Sequence, residues 1–145
     1  MSGLVFVSSG LFPYTTCSAG RAMFNMLRSL SEADRMRATL LTVDVPVDRH
    51  SFEATFPHVR LVEVDTASGQ DLLASSNQHP PARAYSNTLF HWKSACVFRV
   101  LSTLSRNISV DYVEFPDEGG LAFCTLQECR LRGFLPGALI AVRVH

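Results

Sequence analysis

The sequence predicts an α/β domain of three layers, with a mostly parallel sheet covered by helices on both faces. Short apolar runs rich in β-branched residues recur along the chain, and stretches with apolar residues at helical spacing stand between them. Strands that alternate with helices of about ten residues or more select right-handed crossovers and parallel pairing. Size agrees: 145 residues suit one core, since domains run to about 100–150 residues and a second full core would need a longer chain.

Leu4-Val5-Phe6-Val7 is the first strand, closing in the turn Ser8-Ser9-Gly10. After a loop, Met23, Met26, Leu27 and Leu30 fall at i, i+3, i+4 and i+7, which predicts a helix over residues 20–33 with Ser18 as its N-cap. Residues 38–43 form a continuous apolar run and residues 59–64 alternate, giving two more strands, the second nearer a sheet edge; Pro46 and Pro57 punctuate the link between them. Residues 66–84 are polar and carry Gly69, Pro80 and Pro81, which predicts a long exposed loop with at most a helical turn over residues 71–74. Leu89, Trp92, Cys96, Val100, Leu101 and Leu104 then place a helix over residues 85–105. A fourth strand over residues 110–115, a helix over residues 119–132 ending on Gly133, and a fifth strand over residues 138–144 complete the order. With no repeat, low-complexity tract or linker, residues 1–145 read as a single Rossmann-like domain.

Composition excludes several functions. With 47% hydrophobic and 18% charged residues the chain is not disordered by composition, and thirteen basic residues against thirteen acidic ones leave no field to draw it onto nucleic acid. Cys17, Cys96, Cys124 and Cys129 show neither C-x-x-C nor zinc spacing, so buried, reduced thiols are expected. No apolar run approaches the roughly 20 residues of a membrane span, and the first residues lack the basic region of a secretion signal. The expected location is the cytoplasm, free or peripheral to a membrane.

In a sheet of this kind ligands bind beyond the carboxyl ends of the strands. The loop over residues 8–20 brings hydroxyls, glycines and backbone N–H groups to a helix N-terminus, where an anion is favoured; it is neither a Walker A loop nor G-x-G-x-x-G, and a capped loop without a ligand is an equal reading. Glu114, Asp117 and Glu118 stand with Gly119 and Gly120 at a strand end, where carboxylates can accept from sugar hydroxyls or act as a general base and glycines allow close approach. Asp117 and Glu118 are equally plausible as helix caps, and one of them is expected to be one. His145 would project from the end of a central strand into the same crevice, although a lone terminal histidine is more often incidental. His50, His58, His79 and His91 lack a paired ligand, and Asp44 and Asp48 form no D-x-D, so no metal site is expected. Phe90 and Trp92 read as core or interface residues rather than as a stacking platform.

The run from Val110 through Glu114-Phe115-Pro116-Asp117-Glu118-Gly119-Gly120-Leu121 to Phe123, then Arg132-Gly133, then Ile140 to His145, resembles the later part of the N-terminal domain of family 4 glycosyltransferases. Members show a strand of the type D-V-V-E-x-P-D-x-x-G-L, a helix closing in Arg-Leu-Gly and a strand ending V-x-x-H-G. The first loop and its helix also fit, and the resemblance is weakest over residues 49–84. It implies one half of a GT-B arrangement, in which two Rossmann-like domains transfer a sugar, with retention, from a nucleotide-diphosphate sugar; that donor is a substrate, and no separate cofactor is implied. By the same resemblance Ser18, Ala19 and Gly20 would approach the donor diphosphate, although the family usually has two adjacent glycines there. Glu114, Asp117 and His145 would line the interdomain cleft as the catalytic side, with Gly119 and Gly120 beside the acceptor.

The family's C-terminal donor-binding domain has no counterpart before His145. The expected partners are therefore that domain and a sugar or glycan acceptor. The chain alone is expected to be inactive and to self-associate through its interdomain face. Two rival readings are a flavodoxin-like FMN or nucleotide module, for which the first loop would cradle a phosphate, and a non-catalytic interaction domain of the receiver type. The second meets Ser8 and Ser9 where an acidic cluster would be needed. A stand-alone hydrolase lacks its G-x-S-x-G elbow.

Overall fold

The structure, a computed structural model, describes residues 2–67 and 89–144. In chain order it contains β1 (Ser2–Ser8), α1 (Ser18–Ser29), α2 (Glu32–Arg37), β2 (Ala38–Val43), α3 (Arg49–Thr55), β3 (Arg60–Val64), α4 (Leu89–Ser105), β4 (Ser109–Pro116), α5 (Phe123–Arg132) and β5 (Leu139–Arg143). The strands pair in the order β3-β2-β1-β4-β5, every pair parallel. Chain order runs outward from β1 in one direction through β2 and β3 and in the other through β4 and β5, so the switch point lies between β1 and β4.

Period-two alternation sorts the strand residues onto two cores. Val5, Val7, Leu41, Val43, Val113 and Phe115 pack with Trp92, Val97 and Leu101 of α4 and Cys124 of α5. Phe6, Leu40 and Leu61 pack with Met23 and Leu27 of α1 and Phe52 of α3. The result is the expected three-layer Rossmann-like domain. All six residues of β2 are buried, Thr39 and Thr42 among them, as expected of an inner strand covered on both faces. No helix among the described residues is long and apolar enough to cross a membrane.

Several boundaries differ from expectation for local reasons. Cys17 rather than Ser18 caps α1, its Sγ accepting from the Gly20 amide at 3.4 Å while Ser18 is already helical; that place at the helix start leaves Cys17 exposed, and Cys129 is half-buried, whereas Cys96 and Cys124 are buried as expected. The helix expected over residues 20–33 is two: Leu30 is extended (φ −63°, ψ 139°), and Ser31 starts α2 by accepting from the Asp34 amide at 3.1 Å. The link carrying Pro46 and Pro57 contains α3, started by Asp48, which accepts from the His50 amide and the Ser51 hydroxyl. The last helix begins at Phe123 and not at residue 119, because Gly119 and Gly120 hold φ values of 73° and 59° and form a turn. Ala122 is its N-cap, without a side-chain bond, so neither Asp117 nor Glu118 serves as the cap; Gly133, at φ 66°, closes the helix as expected. The strand leading to His145 is an outer one and not central, because β5 pairs with β4 on one side and no described strand lies on the other. Most of the loop expected over residues 66–84, its turn near residues 71–74 and the helix start near residue 85 fall outside the described residues.

Candidate functional site

Beyond the carboxyl ends of β1, β2 and β4 lies a crevice of about 430 Å³, lined by Ser9, Val43, Asp44, Phe90, Lys93, Glu118, Gly119 and Leu121. Its place at the switch point is where ligands bind in doubly wound sheets, and its size falls inside the roughly 300–1,000 Å³ range of small-molecule sites.

Asp44 follows β2 directly and adopts φ 55°, the left-handed region that aspartate tolerates better than most residues. Its amide donates to the Val64 carbonyl at 3.0 Å, which ties the ends of β2 and β3 together. Oδ1 accepts from the Thr66 amide at 2.9 Å, Oδ2 accepts from the Thr66 hydroxyl at 2.7 Å, and Lys93 Nζ of α4 stands 3.0 Å from Oδ2. Burial alone would raise this carboxyl. The Thr66 amide and hydroxyl and the Lys93 ammonium together outweigh burial and hold it below the usual carboxylate range. One residue before Lys93, Trp92 Nε1 donates to the Thr66 carbonyl at 2.9 Å, so the first turns of α4 are fastened to the exit of β3. Across the crevice the Ser9 hydroxyl donates to Glu118 Oε1 at 3.1 Å. Gly119 stands beside Phe90, and a Cβ there would lie 3.8 Å from the Phe90 ring.

The residues singled out from sequence divide between this crevice and other places. Gly119 lines it, whereas Gly120 is an exposed turn residue beside it. Glu114 alternates with Val113 and Phe115 and so faces the other side of the sheet, 8% exposed. There Tyr112 Oη donates to Oε2 at 2.6 Å, and Arg143 Nε lies 2.6 Å from Oε1 as a close charge contact without the alignment of a hydrogen bond. Burial, then the bond to Glu114 and its charge, push the Tyr112 phenol up to about 12. Asp117 is exposed, its amide donating to the Arg143 carbonyl at 3.0 Å.

Ser18, Ala19 and Gly20 form the first turn of α1, with Ser18 exposed and the other two buried. Gly20 packs so closely on the preceding loop that a Cβ would lie 2.7 Å from Thr15 Oγ1. That loop binds to itself: Gly10 N donates to Ser8 Oγ, Leu11 N to Thr15 Oγ1, Phe12 N to the Gly20 carbonyl and Thr15 N to the Leu11 carbonyl. His145 lies outside the described residues. Among the described residues no group of three or more His, Cys, Asp or Glu is placed to hold a metal ion.

Ser9 lies in the first loop and Asp44 just past a strand end, both positions where the sequence reading expects ligands, whereas Lys93 was not singled out from sequence. The place of Asp44 just past a strand was its one local signal; the partnership with Thr66 and Lys93 joins positions far apart in the chain and exists only once β2, β3 and α4 are packed. No protein-family model, curated protein or solved structure matches this chain.

Proposed function

We propose that this domain is the acceptor-side half of a retaining glycosyltransferase that moves a sugar from a nucleotide-diphosphate sugar to an acceptor hydroxyl. The observation that carries the reading is the crevice at the switch point, lined by a hydroxyl, two carboxylates and an ammonium fixed by partners of their own. Such a lining offers both donors and acceptors, which is what a polyhydroxylated ligand requires. The resemblance of residues 110–123, 132–133 and 140–145 to the transferase family supplies the reaction type.

Donor chemistry would come from a second domain. The charge that develops on a departing nucleotide diphosphate needs concentrated positive charge, and this crevice brings one lysine, already paired with Asp44. In the first loop the amides of Gly10, Leu11 and Thr15 are engaged within the loop and that of Phe12 on the Gly20 carbonyl. On this reading Glu114 positions β4 against β5 through Arg143, and Asp117 follows directly on the end of β4.

The test is an assay of the natural full-length protein with a panel of nucleotide-diphosphate sugars and sugar acceptors, following release of the nucleoside diphosphate. Release that requires both donor and acceptor is expected. Absence of release with every pair, while the protein remains folded, discards the transferase.

A further inference from the structure

We propose that the crevice seats an uncharged pyranose ring, one face laid against Phe90 and its hydroxyls bonded to Ser9, Glu118, Asp44 and Lys93. The inference rests on the transferase reading and names the chemical class of the acceptor at that site.

Phe90 is 63% exposed at the edge of the cavity, while Trp92, two residues on, is buried in the core. A phenyl ring left in water beside charged groups gains free energy from any ligand that covers it. Gly119 leaves room for one: a side chain at this position would start 3.8 Å from the ring, so glycine keeps the neighbouring space open. The backbone that carries the ring belongs to a helix anchored in the core by buried Trp92, Ala95 and Cys96.

The polar wall sorts ligands by charge and by bonding capacity. Two carboxylates against one ammonium leave the lining with an excess of negative charge, which repels phosphate and carboxylate groups. Lys93 carries three N–H donors and Asp44 takes one of them. Glu118 holds acceptor capacity beyond the Ser9 bond, and Ser9 Oγ can accept as it donates. Adjacent hydroxyls, each donating and accepting once, match this mixture. A pyranose presents such hydroxyls around its rim and a patch of C–H groups on its face, so it satisfies the aromatic and the polar walls together.

The experiment is saturation-transfer NMR on the natural full-length protein with methyl glucopyranoside and methyl mannopyranoside as probes, and with glucose 6-phosphate and glucuronate as charged counterparts. Saturation of the ring C–H protons by the neutral glycosides is expected. Phe90→Ala should weaken their binding about tenfold and Phe90→Trp should preserve it, with unchanged thermal unfolding in both because the ring is exposed. Absence of glycoside binding, equal affinity in Phe90→Ala, or tighter binding of the charged sugars overturns the proposal. Turnover is a separate readout. Glycoside binding that depends on Phe90, without any sugar transfer, supports the subsite and discards the transferase; transfer with glycoside binding indifferent to Phe90 discards the subsite alone.

Discussion

Asp44 holds a left-handed backbone, and its carboxylate satisfies Thr66 and Lys93 at once. Because its carboxyl lies below the ordinary value of about 3.9, the stabilisation is whole above that value and is lost as pH falls through the lower folded one. Asn tolerates the same backbone and lacks the charge, so Asp44→Asn isolates the electrostatic part. We expect a loss of about 1 kcal/mol at pH 7, modest because both side chains are near 30% exposed (29% and 31%), shrinking towards pH 3. Urea midpoints at the two pH values measure this, and an equal loss at both would remove charge from the account. Tyr112 provides the opposite sign. Its phenol, at about 12, is kept protonated by burial and by Glu114, so its contribution is whole below about pH 10 and is lost as pH climbs through the folded value. Glu114→Gln should lower that titration without restoring the ordinary value, since burial remains; NMR of the Tyr112 ring against pH reports it. A phenol unmoved by Glu114→Gln would mean that burial alone sets it.

At the level of elements, what was legible in the sequence follows from how many faces an element buries. β1 and β2, inner strands with helices on both sides, are apolar runs that period and propensity find directly. The break between α1 and α2 was hidden because Leu30 continues the apolar stripe; Ser31, three residues before Asp34, was the signal. α3 was missed for brevity, seven residues giving too little periodicity, although Asp48 and the pair Phe52 and Phe56 mark its start and its buried face. Phe52 is 1% exposed, and Phe52→Ala should cost about 3–5 kcal/mol by calorimetry or urea unfolding. A cost below about 1 kcal/mol would detach α3 from the core. The start of α5 depended on the backbone angles of Gly119 and Gly120, which composition does not reveal. The site was half legible for the same reason: Glu118 and Gly119 follow a recognisable strand end, whereas Asp44 meets Lys93 only across packed layers.

For the whole molecule the decisive asymmetry is between the two edges of the sheet. β3, at one end, has exposed Arg60 and Glu63, and Arg49 of α3 pairs with Glu63 at 3.2 Å. Charges of this kind discourage an edge from pairing with another strand. β5, at the other end, has no such guard: its one charged side chain, Arg143, turns to Glu114, while Leu139, Val142 and the following Val144 are 64%, 49% and 81% exposed. Leu126 and Leu131 of α5 are exposed as well. Among the described residues no strand pairs with the outer side of β5, and an outer strand with apolar side chains is a template for association, whether its natural cover is a second domain or another chain. The 145-residue chain by itself should therefore form oligomers whose size grows with concentration, and Val142→Lys should return it to a 16.0 kDa monomer by placing a charge on that edge. Light scattering coupled to size exclusion, over a tenfold range of concentration, separates the outcomes. A wild-type chain that stays monomeric throughout would show that the β5 edge needs no cover, and would take from the two-domain reading the support it draws from this surface.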